Sequence, residues 1–116
     1  MAFDKTILQV IPAMDAGGAE RTTLEIARAV IAAGGRAIVA TSGGRMIAAL
    51  EEAGAKVSKL PVNSKNPLAI AANASKLAGL IRETGADLIH ARSRAPAWSA
   101  LMAARRAGVP LVTTWH

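Results

Sequence analysis

ILQVIPAMDAGGAERTTLEIARAVIAA, residues Ile7 to Ala33, reads as a buried strand, a glycine turn and a long helix in succession. Thr6–Ile11 is apolar, β-branched and short enough for a strand. Pro12 ends it, because proline lacks the N–H that a central strand must donate. Gly17 and Gly18 allow a tight turn and let a ligand approach bare backbone. From Ala19 the pattern is helical, with Leu24, Ala27 and Ile31 along one stripe and Ile26 and Val30 beside it. Arg21, Glu25 and Arg28 form an i, i+4, i+7 row on the opposite, wet side. The free N–H groups at such a helix start face the carboxyl end of the strand, a ready site for an anion.

The same alternation repeats downstream. Gly34-Gly35 closes the helix and Arg36–Ala40 forms a second strand. After the loop Thr41–Gly44, a short helix over Arg45–Ala53 stops at Gly54. Lys56–Leu60 is a third strand, ended by Pro61. Asn66-Pro67 opens a helix as cap and first residue, and Pro67–Thr84 follows with Ile70, Ala74, Leu77 and Ile81 on one stripe. Gly85 ends that helix, and Asp87–Ala91 is a fourth strand. Arg92-Ser93-Arg94 reads as a loop, and Pro96 falls in the first turn of a helix that runs to Ala107. Gly108 closes it, and Val109–Thr114 is a fifth strand before Trp115-His116. Pro110 is tolerable there because it falls at the strand's beginning.

Strands alternating with helices mean an α/β fold with a parallel sheet and helices on both faces. The expected architecture is Rossmann-like and doubly wound, with strand order 3-2-1-4-5. Ligands bind such sheets outside the carboxyl ends of the strands, where the order reverses between strands 1 and 4. Three segments then converge: Ala13–Gly18, Arg92–Arg94, and the end of strand 5 at Trp115-His116.

Composition narrows the class. With 116 residues the chain is one domain or part of one. Hydrophobic residues make up 52%, which excludes a disordered chain. The absence of cysteine excludes disulfides and thiolate metal sites and fits the cytosol. The amino terminus, MAFDKTILQVIPAMDAGG, does not read as a secretory signal, because its apolar run is short and follows an acid. Fourteen Lys and Arg against eight Asp and Glu give a net charge of +6, which favours anionic partners such as nucleotides, phosphorylated sugars or an anionic lipid surface. Two Trp, one Phe and no Tyr offer few stacking platforms, which argues against nucleic acid.

The chemistry open to the convergent segments is anion recognition. Gly17 and Gly18 offer amides at a helix start whose dipole adds about 0.3–1 kcal/mol. Arg92 and Arg94 carry the planar, bidentate donors that suit phosphate or carboxylate. His116 stands at a strand's carboxyl end, where an imidazole can shuttle a proton or bind a hydroxyl or phosphate. Asp15 can accept a proton from a hydroxyl, although an acid near a helix start more often serves the dipole. Plainer readings stand beside each: turn geometry for the glycines, a solvated loop for the arginines. His90, inside strand 4, reads as a satisfied core or interface residue.

Several motifs are absent. The turn MDAGGAE is not G-x-G-x-x-G, and Ala40–Gly43 supplies no acid at the end of strand 2, which tells against a dinucleotide site. No Walker loop, no G-x-S-x-G elbow and no histidine–acid cluster of metal-ligand spacing occurs. Leu60-Pro61 stands where a phospho-receiver domain would need an aspartate.

The segments ILQVIPAMDAGGAERTTLEIARAV, DLIHARSRAPAWSA and GVPLVTTWH together resemble the N-terminal domain of family 4 glycosyltransferases, over almost the whole chain. The Gly-Gly-Ala-Glu-Arg turn into an amphipathic helix is the most specific part. The resemblance implies half of a two-domain GT-B enzyme that transfers sugar with retention, without a metal or other cofactor. It implies a nucleotide-sugar co-substrate and a glycan or glycolipid acceptor, commonly of lipopolysaccharide or another cell-envelope polymer. It places Gly17 and Gly18 near the donor diphosphate and acceptor, His116 near the transferred sugar, and Arg92 and Arg94 at the acceptor. It implies a cytoplasmic protein, peripheral at the inner face of the membrane. Residues 1–116 then form the acceptor-side fragment, inactive alone, because the family's nucleotide-sugar domain with its E-x7-E motif follows His116. The bare edge of strand 5 leads to the expectation that further chain covers it or that two copies pair there. Two other functions remain open: a nucleotide-sugar epimerase of the same fold, and a non-enzymatic anion-binding module.

Overall fold

The computed structural model describes residues 4–12, 18–62, 64, 66–92 and 94–114, with the backbone alone for Arg94 and Ala95. The elements run β1 (Thr6–Ile11), α1 (Gly18–Ala32), β2 (Arg36–Thr41), α2 (Ile47–Glu52), β3 (Lys56–Lys59), α3 (Pro67–Thr84), β4 (Leu88–Arg92), α4 (Arg94–Ala107) and β5 (Leu111–Thr114). All strand pairs are parallel, in the order β3-β2-β1-β4-β5. The expected fold class and strand order are therefore present.

Residue chemistry explains the boundaries. Asn66 caps α3, its side-chain oxygen accepting from the Leu68 amide at 2.9 Å, with Pro67 as the first helical residue. Gly85 ends α3 at φ 70°, a left-handed conformation that costs glycine least. Several expected boundaries move. Arg92 belongs to β4 and Arg94 already begins α4, so neither lies in the loop expected over Arg92–Arg94. The expected short helix contracts to Ile47–Glu52, with no side-chain cap bond at Met46. Strand β5 starts at Leu111, since Pro110 has no amide to give, although its carbonyl accepts from Ile89 N at 3.1 Å.

Alternation along the strands divides two cores. Leu8, Val10, Ile38, Ala40, Ile89 and Ala91 face α3 and α4 and pack with Leu77, Ile81, Ala100 and Ala103. Ile11, Ala37 and Val39 face the other way and pack with Leu24 and Ala27 of α1 and Leu50 of α2. Alanine at 74, 78, 100, 103 and 104 lets α3, α4 and the sheet approach closely. The amino-terminal end of the sheet is tied by side chains. Asp87 accepts from the Thr6 amide at 2.8 Å, and Arg36 donates to Thr6 Oγ1 at 3.1 Å and to the Thr84 carbonyl.

Candidate functional site

Parallel pairing brings every strand's carboxyl end to one rim. Ile11 pairs with Thr41, and Arg92 pairs with Thr114. Since α1 follows β1 and α4 follows β4, both helix starts, Gly18 and Arg94, lie at that rim.

Gly18 is the first residue of the 15-residue helix α1. Its φ is not in the left-handed region, and a Cβ built on it would meet nothing within 4 Å. Backbone strain therefore does not demand glycine here. Nor do the described neighbours exclude a side chain at this position. Asp15, Gly17 and His116 lie outside the described residues.

Arg92 departs most from the sequence expectation. It is 3% exposed rather than a solvated loop residue. Its Nη2 donates to Gln9 Oε1 at 3.3 Å, and its Nε, also buried, has no partner. Among the described residues no carboxylate forms an ion pair with it, and desolvation holds its pKa below the ordinary arginine value. Gln9, 1% exposed in the middle of β1, is the residue that the sequence reading passed over. It donates through Nε2 to the Thr23 carbonyl of α1 at 3.1 Å while accepting from Arg92. Thr23, fully buried, turns its hydroxyl back onto the Ala19 carbonyl at 2.9 Å. One buried chain of hydrogen bonds thus joins α1, β1 and the end of β4. The only sequence signal for Gln9 was a single amide side chain within the apolar run TILQVI.

His90 shares a sheet face with Gln9 and Arg92, because Gln9 pairs with His90 and side chains alternate along the strand. Its Nε2 lies 3.3 Å from Thr114 Oγ1, as expected of a satisfied strand histidine. A hollow of about 380 Å³ on the outer side of α1 is lined by Arg21, Leu24, Glu25, Arg28 and Met46, with no residue from a strand end. Among the described residues, no group of three His, Cys, Asp or Glu is placed to hold a metal ion. None of the described helices is long and apolar enough to cross a membrane.

What this rim can do chemically is receive an anion. A buried guanidinium with no acid paired to it among the described residues and the amides that open α1 lie at the same end of the sheet. A negative guest would offset the cost of burying Arg92's charge.

Comparison with known proteins gives four further findings. The family model for Glycosyltransferase Family 4 matches residues 16–116. A glycosyltransferase from Rickettsia africae ESF-5 shares 37% identity over 95% of this chain and 29% of its own, with a TM-score of 0.86. MurG from Acinetobacter baumannii, at 15% identity, covers 96% of this chain and 35% of its own with a TM-score of 0.75. The C-terminal domain of the Pyrococcus furiosus hydrogenase PF1911, at 18% identity and a TM-score of 0.68, is similar over 97% of this chain and 92% of that domain. The last two likenesses speak to fold alone. This chain spans less than a third of the Rickettsia protein's length. No curated protein matches it in sequence.

Proposed function

The chain belongs to glycosyltransferase family 4, and from that premise we propose that it is the acceptor-side part of a retaining enzyme. In this reading a sugar moves from a nucleotide-sugar donor to a cell-envelope glycan or lipid acceptor, with no metal or other cofactor. The observation that carries it is the cationic rim, where buried Arg92 has an unpartnered Nε and, among the described residues, no acidic partner, at the same end of the sheet as the start of α1.

The proposed mechanism follows from charge. Departure of the nucleoside diphosphate leaves negative charge on its phosphate oxygens, and fixed positive groups stabilise that charge most where water is excluded. The α1 amides and the Arg92 guanidinium are such groups. Gln9 holds Arg92 at its Nη2, and its Nε has no partner. Arg94 assists at the acceptor, and Gly17 and Asp15 frame the approach to α1. His116 is assigned to the transferred sugar, where its imidazole meets a hydroxyl. A second domain is proposed to hold most of the nucleotide, so this chain alone binds weakly and does not turn over.

Titration of the chain with a nucleoside diphosphate, followed by amide chemical shifts, tests the proposal. Saturable shifts at Gly18 and Ala19 are expected, with at least about tenfold weaker binding in Arg92→Met, as for loss of a charged hydrogen bond. Unchanged affinity in that variant would remove Arg92 from the site. Sugar transfer by the 116-residue chain alone would contradict the division of labour.

A further inference from the structure

Gln9 stands where a carboxylate would be the obvious partner for a buried arginine. Charged side chains are rarely buried unless an opposite charge pairs with them. Arg92 is met instead by a neutral amide, and among the described residues no carboxylate pairs with it. The orientation of that amide is fixed by its neighbours. A guanidinium only donates and a carbonyl only accepts, so Oε1 faces Arg92 Nη2 and Nε2 faces the Thr23 carbonyl. Thr23 is held in turn by its own hydroxyl on the Ala19 carbonyl. Gln9 is thus clamped at both ends, between the second turn of α1 and the end of β4.

A glutamate, of the same length, would serve only one of these partners. It would neutralise Arg92, but its second oxygen would face the Thr23 carbonyl, one hydrogen-bond acceptor against another. A leucine would serve neither. Of the three, only glutamine orients the guanidinium and leaves its charge whole. A second observation agrees with an incomplete set of partners: the Nε donor of Arg92 is buried and unpaired. Buried donors are nearly always matched, so an orphan on a side chain already held at Nη2 calls for a functional reason.

We propose that Gln9 is a positioning residue that sets the charge of the rim: by holding Arg92 without neutralising it, the amide makes the site select guests that carry phosphate charge. This rests on the anion-receiving reading of the rim and deepens it, because the selectivity is assigned to a side chain that acts through Arg92. The bond to Thr23 adds a second effect. It ties the guanidinium to α1, so the charge and the amides that open the helix keep one separation before a guest arrives. Groups fixed in advance need no reordering when they bind.

Calorimetric titration with inorganic pyrophosphate and, separately, with a nucleoside diphosphate tests it, beside urea unfolding of each variant. The original protein should bind both anions. Gln9→Glu should bind pyrophosphate at least about tenfold more weakly, because an internal carboxylate then occupies Arg92. Gln9→Leu keeps the charge and loses only its orientation, so it should bind more tightly than Gln9→Glu while unfolding at lower urea. A merely structural amide predicts the opposite order, with affinity following stability. Should Gln9→Glu fail to fold, the original protein still decides: the Arg92 Nε–H proton resonance should move on saturation with pyrophosphate. An unmoved resonance, or undiminished affinity for both anions in folded Gln9→Glu, would overturn the inference and leave the glycosyltransferase reading intact. Gln9-dependent binding of pyrophosphate with no binding of the nucleoside diphosphate would do the reverse. Binding of neither anion by the original protein would overturn both.

Discussion

The two faces of the sheet bury different amounts of apolar surface and do it differently. On one, α3 and α4 cover a continuous core that includes Leu8, Val10, Ile38, Leu77, Ile81 and Ile89. On the other, α1 and α2 cover a smaller cluster of Ile11, Leu24, Ala27, Ala37, Val39, Leu50 and Ala55. Only the second face contains the buried hydrogen-bonded chain Thr23–Gln9–Arg92. The difference separates the sources of stability and of chemistry: the larger apolar face holds the fold, and the smaller one takes the cost of a buried charge at the rim.

The sharpest way to break that contrast is to truncate one leucine on each side. Leu77→Ala, fully buried on the larger face, should cost about 2–5 kcal/mol, read from the urea midpoint. Leu24→Ala, on the smaller face, should fall at the low end of that range, because the site borders solvent and can relax. A larger loss at Leu24 than at Leu77 would reverse the assignment of stability to the α3–α4 side.

The next effect probes the polar chain. Gln9→Leu leaves the Thr23 carbonyl and Arg92 Nη2 without their shared partner. Each stranded buried group costs about 1–3 kcal/mol, so a loss of roughly 2–4 kcal/mol is expected despite the gain in apolar character. A loss under about 1 kcal/mol would mean that water replaces the amide.

Smaller again is the effect of helix starts. Asn66→Ala should cost about 1 kcal/mol by removing the α3 cap. In native-state hydrogen exchange the six-residue α2, which has no side-chain cap bond, should exchange faster than the 18-residue α3. Equal protection would show that the two faces open as one unit.

Much of the fold was legible because its signals are local. Apolar runs of strand length, Asn66-Pro67 and the glycines at 34, 54, 85 and 108, all at positive φ, mark element ends without help from distant residues. The strand order followed from the general behaviour of such sheets. Arg92 was misplaced because a polar residue just past DLIHA looks the same whether it faces water or a partner. Its partner Gln9 lies 83 positions away, and only the β1–β4 pairing brings them together. The glycine turn was legible as a bend into a helix. That Gly18 needs no left-handed backbone, and has room for a Cβ, is visible only in three dimensions.

Arg92→Met should have the smallest effect on stability, within about 1 kcal/mol of the original protein. The guanidinium gains one hydrogen bond at 3.3 Å but is buried with no acid beside it among the described residues and with Nε unpartnered. Replacing such a charge by an apolar chain of similar length is often neutral or favourable, against the loss to Gln9 of one donor. Burial lowers Arg92's pKa in the folded chain. For a base, that means the charged form is penalised at every pH below the folded value, and the penalty fades only as pH rises through the folded toward the unfolded value. An arginine side chain is not deprotonated at ordinary pH, so between about pH 5 and 9 the difference between Arg92→Met and the original protein should not change with pH. The double variant Gln9→Leu, Arg92→Met should recover part of the stability lost in Gln9→Leu alone, because the stranded charge is gone. Chemical denaturation of the four proteins at two pH values measures both effects. A large loss in Arg92→Met, with no recovery in the double variant, would make the arginine a strut of the fold rather than a charge kept for a guest.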